Sequence, residues 1–118
     1  MSAALRLAVL LPTASSWQTM RASAGATSLA VADANQKFPV KVSFRWEEID
    51  CDEMQATAVI SRMLQENIVD GVIGPDCEAS CEPSASFTAG RDLVQISYSC
   101  SSDLLVNRER FPTVCPPR

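Results

Sequence analysis

Apolar runs of strand length alternate with stretches of three-four periodicity from one end of the chain to the other. Residues 5–11 read as an apolar run, as a strand buried on both faces requires. Residues 12–16 are a loop in which Ser15 or Ser16 is placed to cap a helix. Residues 17–35 are alanine-rich, and Trp17, Met20, Ala24 and Val31 fall roughly on one face, which predicts a helix packed on a sheet. Phe38-Pro39 ends that connection, and residues 40–46 alternate strictly between apolar and polar, a strand with one wetter face.

Asp50, Asp52 and Glu53 then gather carboxylates where a helix dipole favours them, and Asp52 with Gln55 fits a capping box. Ala56, Val59, Ile60, Met63 and Leu64 follow at helical spacing, closed by residues 67–70. Val72-Ile73 is a short central strand, residues 77–90 carry a third helix with Pro83 near its first turn, and residues 93–97 are a fourth strand. A turn or short helix covers residues 104–108, and residues 111–115 run to a Pro-Pro-Arg end. The order βαβαβαβ with right-handed crossovers predicts an α/β fold, a parallel sheet between two helical layers. No repeat, linker or low-complexity tract interrupts it, so residues 1–118 read as one unit. The sequence stops where another crossover is expected, and so reads as part of a lobe.

Length adds that 118 residues suffice for a single core. A net charge of −4 offers no field for nucleic acid or anionic lipid. The chain has no histidine, which excludes a histidine-dependent serine or cysteine hydrolase and removes the commonest metal ligand. No apolar run approaches the roughly 20 residues that span a bilayer. Residues 1–11 resemble a short signal peptide, but Pro12 interrupts the apolar core and a first buried strand fits better. Five cysteines in so short a chain suggest an oxidising compartment. Two bridges and one leftover thiol can be drawn in fifteen ways from these five, and spacing alone does not choose among them.

The candidate chemistry gathers where two strands break into polar residues. Val72-Ile73-Gly74-Pro75-Asp76-Cys77 is one such break, and Ile96-Ser97-Tyr98-Ser99-Cys100-Ser101-Ser102 is the other. In open α/β sheets such ends form the ligand crevice. From the residues alone, a plain serine-rich turn with capping hydroxyls explains the second break better than a ligand site does. Glu47, Glu48 and Asp50 with Asp52 and Glu53 invite a hard-metal reading, but a solvated loop and helix cap account for them better. Four thiolates around zinc would need a second close cysteine pair beside Cys77 and Cys81, a redox site would need Cys-x-x-Cys, and neither is present. No phosphate-binding glycine motif occurs, and no cofactor is implied.

Taken in order, Leu7-Ala8-Val9-Leu10-Leu11-Pro12, Trp17, Asp50-Cys51, Gln55-Ala56-Thr57, the two strand breaks and Arg108-Glu109-Arg110-Phe111-Pro112-Thr113 resemble the extracellular ligand-binding region of type I periplasmic-binding-protein-like receptors. That group includes natriuretic-peptide receptor guanylate cyclases, metabotropic glutamate receptors and GABA-B receptors, and the chain looks most similar to the GABA-B-like branch. The resemblance covers nearly the whole chain. It implies the first portion of the membrane-distal lobe of a clamshell, which closes on an amino-acid-like ligand with a second lobe or receptor subunit. It implies a non-enzymatic, extracellular role in a membrane-anchored parent.

The same resemblance implies a Cys51–Cys77 bridge, leaves Cys81–Cys100 as a possible second, and makes Trp17, Glu78, Ser99, Ser101 and Ser102 the candidate ligand-binding residues. Core packing competes for Trp17, and Tyr98 is expected in the interior with its hydroxyl satisfied. Glu78 departs from the family pattern, which has a small hydroxyl residue there to help bind carboxylate. A glutamate repels an anion, so either the ligand differs, for instance by a cationic group, or the site is degenerate, or the side chain turns outward. A truncated inactive product and a cytosolic flavodoxin-like module are the competing readings.

Overall fold

Strand β1 (Ala4–Pro12) leads through helix α1 (Trp17–Lys37) to β2 (Lys41–Ile49), which pairs with β1 over its full length. Helix α2 (Gln55–Glu66) returns the chain to β3 (Gly71–Ile73) on the other side of β1. Helix α3 (Glu78–Gly90) leads to β4 (Val94–Ile96), and a 3-10 turn, η1 (Asp103–Val106), leads to β5 (Val114–Cys115). The computed structural model describes residues 4–12, 17–66, 69–98, 100 and 102–115, and for residues 12 and 17–24 the backbone alone. All five strands are parallel in the order β2-β1-β3-β4-β5. The fold is thus the expected α/β sheet.

The direction of travel sorts the helices into two layers. The connection through α1 moves toward β2, whereas those through α2 and α3 move toward β5. Right-handed crossovers place them on opposite faces. Accordingly, α1 lies over Leu5, Leu7 and Val42. On the other face Ala8, Leu10 and Val72 pack with Ile60 and Met63 of α2 in one buried cluster. Each such apolar side chain contributes about 1.5–3 kcal/mol on burial. A smaller cluster under β4 and β5 holds Cys81, Ala85, Cys100, Leu105, Phe111 and Val114.

Several elements depart from the sequence pattern. The two-residue β5 extends the expected four strands, because Gln95 and Ile96 of β4 offer a free edge to Val114 and Cys115. β2 alternates as expected until Trp46, which is exposed although apolar, as an edge strand allows. Asp52 accepts hydrogen bonds from the Met54 and Gln55 amides at 2.8 and 3.1 Å, as a cap should, but the Gln55 side chain reaches back to the Asp50 amide rather than that of Asp52. Pro83 falls within α3, one turn later than expected, and removes an internal hydrogen bond there.

Candidate functional site

In the register of the sheet, Val9, Ile73, Ile96 and Cys115 form one row. The loops that leave β1, β3 and β4 therefore emerge together at one end. Gly74 is the closest point of this convergence. Its φ is +101°, and a Cβ there would meet the Leu10 carbonyl oxygen at 2.7 Å and the Tyr98 ring at 3.2 Å. Only glycine accommodates both the backbone conformation and the approach. Above it, the Tyr98 hydroxyl donates to the Leu10 carbonyl at 2.9 Å, so the ring crosses from β4 over β3 to β1. Burial, then the Asp76 carboxylate, pushes the phenol pKa well above its ordinary value. The hydroxyl is satisfied as expected, yet the residue is 40% exposed rather than interior, because the ring lies across the strand ends.

The start of α3 borders this convergence. Cys77 is its N-cap in extended conformation and supplies no side-chain cap, and the helix dipole favours negative charge at this end. Two disulfides fix the turn. Cys51, just before α2, is bonded to Cys77 with Cα atoms 5.4 Å apart, and Cys81 is bonded to Cys100 at 6.4 Å. Both separations suit a disulfide, and Cys115 is left free and exposed. Ser80 adds a tie, its hydroxyl donating to the Asp52 carbonyl at 2.8 Å.

A buried amide links the same segments from beneath. Gln95 of β4 donates from Nε2 to the Gly74 carbonyl and to Ser84 Oγ, both at 3.1 Å, and its Oε1 accepts from Thr88 Oγ1 at 2.8 Å. Gln95, Ser84 and Thr88 are all buried. Sequence reasoning passed over this network. Its signal was a lone amide inside an apolar strand, with hydroxyls four residues apart on the preceding helix.

Of the residues singled out from sequence, Glu78 opens α3 and is exposed. It lines an open groove with Glu53, Glu82 and Arg110, where Arg110 pairs with Glu82 at 2.8 Å. Ser102 caps η1, its Oγ accepting from the Leu104 amide at 3.3 Å. A hydroxyl used as an acceptor keeps its proton to donate. Ser97 has a similar role earlier in the segment, its Oγ accepting from the Cys100 amide at 3.1 Å. Trp17 is the first residue of α1, its side chain outside the described structure, and Ser99 and Ser101 lie outside the described residues. The structure thus brings Glu78, Ser102 and the two bridges to one end of the sheet.

The acidic positions have structural roles. Glu47 pairs with Arg62 of α2, and Asp52 caps that helix. Among the described residues no group of three possible metal ligands comes together. A cavity of about 210 Å³ lined by Arg6, Leu7, Met63 and Val69 sits toward the opposite end of the strands. Of the charged groups that line it, Arg6 is paired with Asp70 and Arg45 with Glu66.

Residues 22–116 match the model of the family described as the receptor family ligand binding region. Among curated proteins, the gamma-aminobutyric acid type B receptor subunit 1 of Mus musculus and that of Rattus norvegicus are each 27% identical over 114 residues, covering 93% of this chain and 12% of theirs. Among solved structures, a branched-chain amino acid transporter substrate-binding protein from Streptococcus pneumoniae, in complex with isoleucine, superposes with a TM-score of 0.78 at 13% identity. An ABC transporter substrate-binding protein from Desulfitobacterium hafniense does so at 0.78 and 19%. These superpositions cover 97% and 96% of this chain and 33% of each neighbour. The chain therefore spans about an eighth of the curated relatives and a third of the solved ones.

Proposed function

The chain belongs to the receptor family ligand binding region family, and on that premise we propose that it forms one wall of a non-enzymatic, extracellular site for a small amino-acid-like ligand. It is the first portion of a membrane-distal lobe, and a second lobe supplies the facing wall. The observation that carries this reading is the convergence of three strand ends beneath Tyr98, beside the start of α3 and the Ser102 turn. Backbone and hydroxyl donors of the Ser102 turn, at such a strand end, suit the carboxylate of an amino acid. Ser99, Ser101 and Ser102 are the residues proposed to meet it, with Trp17 packing on the ligand from the start of α1. The relatives named for gamma-aminobutyric acid and the neighbour holding isoleucine support this ligand class.

Two disulfides support an oxidising, extracellular setting. No described helix is long and apolar enough to cross a membrane. Attachment of the parent to a membrane is proposed from the curated relatives alone. The family match favours this reading over a flavodoxin-like module.

Glu78 sets the ligand preference within this reading. A carboxylate at the start of α3 competes for the amides that an anion would use, so this chain disfavours an anionic group there and favours an amine. The test is a fusion in which this chain replaces the matching segment of the mouse receptor subunit, titrated calorimetrically with γ-aminobutyrate and with L-isoleucine. Glu78→Ser is expected to tighten γ-aminobutyrate binding by about tenfold, the effect of one charge contact. A fusion that folds yet binds neither ligand, with or without the substitution, refutes the proposal.

A further inference from the structure

The segment after β4 is held at four points. Ser97 accepts from the Cys100 amide, Tyr98 reaches the Leu10 carbonyl, Cys100 is bonded to Cys81, and Ser102 caps η1. Three of these ties are single hydrogen bonds, and two of them are local to the segment itself. The fourth is covalent and joins the segment to the first turn of α3. Both of its cysteines are buried, at 1% and 0% exposure, in the small cluster with Ala85, Leu105, Phe111 and Val114. The other bridge differs in placement. Cys51 is exposed, and that bridge joins the start of α3 to the loop before α2 rather than to the segment after β4.

We propose that the Cys81–Cys100 bridge is a positioning device for the ligand wall: it fixes the Ser102 turn against the start of α3, so their relative geometry is set before any ligand arrives. This rests on the proposed binding function for its purpose, but not for its physical content. A wall whose elements are pre-set spends less binding free energy on ordering them. Without the bridge, residues 97–107 would depend on hydrogen bonds and on Leu105 and Phe111 packing, and would open locally without unfolding the α2 core.

The two bridges provide their own control, because they close loops of similar length, with sequence separations of 26 and 19, and so constrain the unfolded chain to a similar degree. Hydrogen exchange is to be followed by mass spectrometry on the intact chain, on Cys81→Ala/Cys100→Ala and on Cys51→Ala/Cys77→Ala, without reductant. The first double variant is expected to exchange about tenfold faster at the amides of 100–107 and in the first turn of α3, with β1 and α2 unchanged. The second is expected to loosen 50–56 and leave 100–107 protected. Uniform acceleration along the chain, or none at 100–107, overturns the proposal. If Cys81→Ala/Cys100→Ala does not fold, Cys100→Ala alone, with the same exchange readout, decides between local and uniform loosening. A parallel calorimetric titration of the fusion described above with γ-aminobutyrate, with and without Cys81→Ala/Cys100→Ala, keeps the two readings apart. Failure of the folded fusion with both bridges to bind counts against the ligand class, whereas equal affinity with and without the Cys81–Cys100 bridge overturns the positioning role.

Discussion

Tyr98 is the single tyrosine of the chain, so its ionisation can be read directly by ultraviolet absorbance. Burial and Asp76 raise its folded pKa above the unfolded value of about 10. The neutral phenol therefore contributes stability that is complete below pH 10 and is lost as pH rises through the folded pKa. Absorbance of the phenolate is expected to lag behind that of free tyrosine until the chain unfolds, and Tyr98→Phe is expected to flatten the alkaline fall in stability. A phenolate midpoint at pH 10 in folded protein contradicts this. Gly74 and Gln95 give sharper stability effects. Gly74→Ala forces a Cβ into the Leu10 carbonyl at positive φ and is expected to cost about 2–3 kcal/mol. Gln95→Leu removes the side-chain donor to the Gly74 carbonyl and the acceptor of Thr88, whose hydroxyl keeps only the Ala85 carbonyl, and is expected to cost about 1–3 kcal/mol. Urea midpoints measure both. Gln95 was visible in the sequence as a polar interruption, but its three partners were not, since they come from a loop and a helix brought beside it only by the sheet. Exposure of Tyr98 was hidden for a related reason: an aromatic after a strand reads as core until its ring is known to lie across the strand ends.

Among the elements, α2 was the most legible, because its apolar spacing coincides with the face it buries: Ala56, Ile60 and Met63 are the residues the sheet covers. Ile60→Ala is expected to cost about 2–5 kcal/mol, while Leu29→Ala on α1, at 74% exposure, changes stability by less than about 0.5 kcal/mol. Thermal melts of the two variants test the contrast, and equal losses would mean that α1 is packed as tightly as α2. Gly25 of α1 has open space around its Cβ position, so Gly25→Ala is expected to stabilise by about 0.5–1 kcal/mol. The elements at the end of the chain were less legible. A strand of two residues has no periodicity to read, and β5 exists through its pairing with β4. The Ser102 turn was readable as either a cap or a ligand contact, and its capping bond to Leu104 leaves the hydroxyl proton available for the second role.

For the whole molecule, the two bridges and the sheet topology have opposite consequences. In the loop-entropy model the bridges, spanning 26 and 19 residues, stabilise by about 3–3.5 kcal/mol each. A thiol reagent is accordingly expected to find one reactive cysteine, Cys115, in the native chain and five after reduction and unfolding. The topology leaves a deficit. Among the described residues α1 packs chiefly on β1 and β2, approaching β3 at Ile73, and β4 and β5 have no such partner on that face. Val94 and Ile96 are each 46% exposed there, with Ile73 beside them in register. Crossovers advancing from β3 toward β5 deposit their helices on the opposite face, so among the described residues no element covers this stripe at Val94 and Ile96. It is expected to bind an apolar dye such as 1-anilinonaphthalene-8-sulfonate in the native state. Val94→Thr/Ile96→Thr is expected to remove most of that fluorescence while changing stability by less than about 1 kcal/mol, since neither side chain is fully buried. Dye binding unchanged by the double substitution would place the exposed apolar surface elsewhere. A loss of stability comparable to that of Ile60→Ala would mean that α1 swings across β3 and β4 in solution.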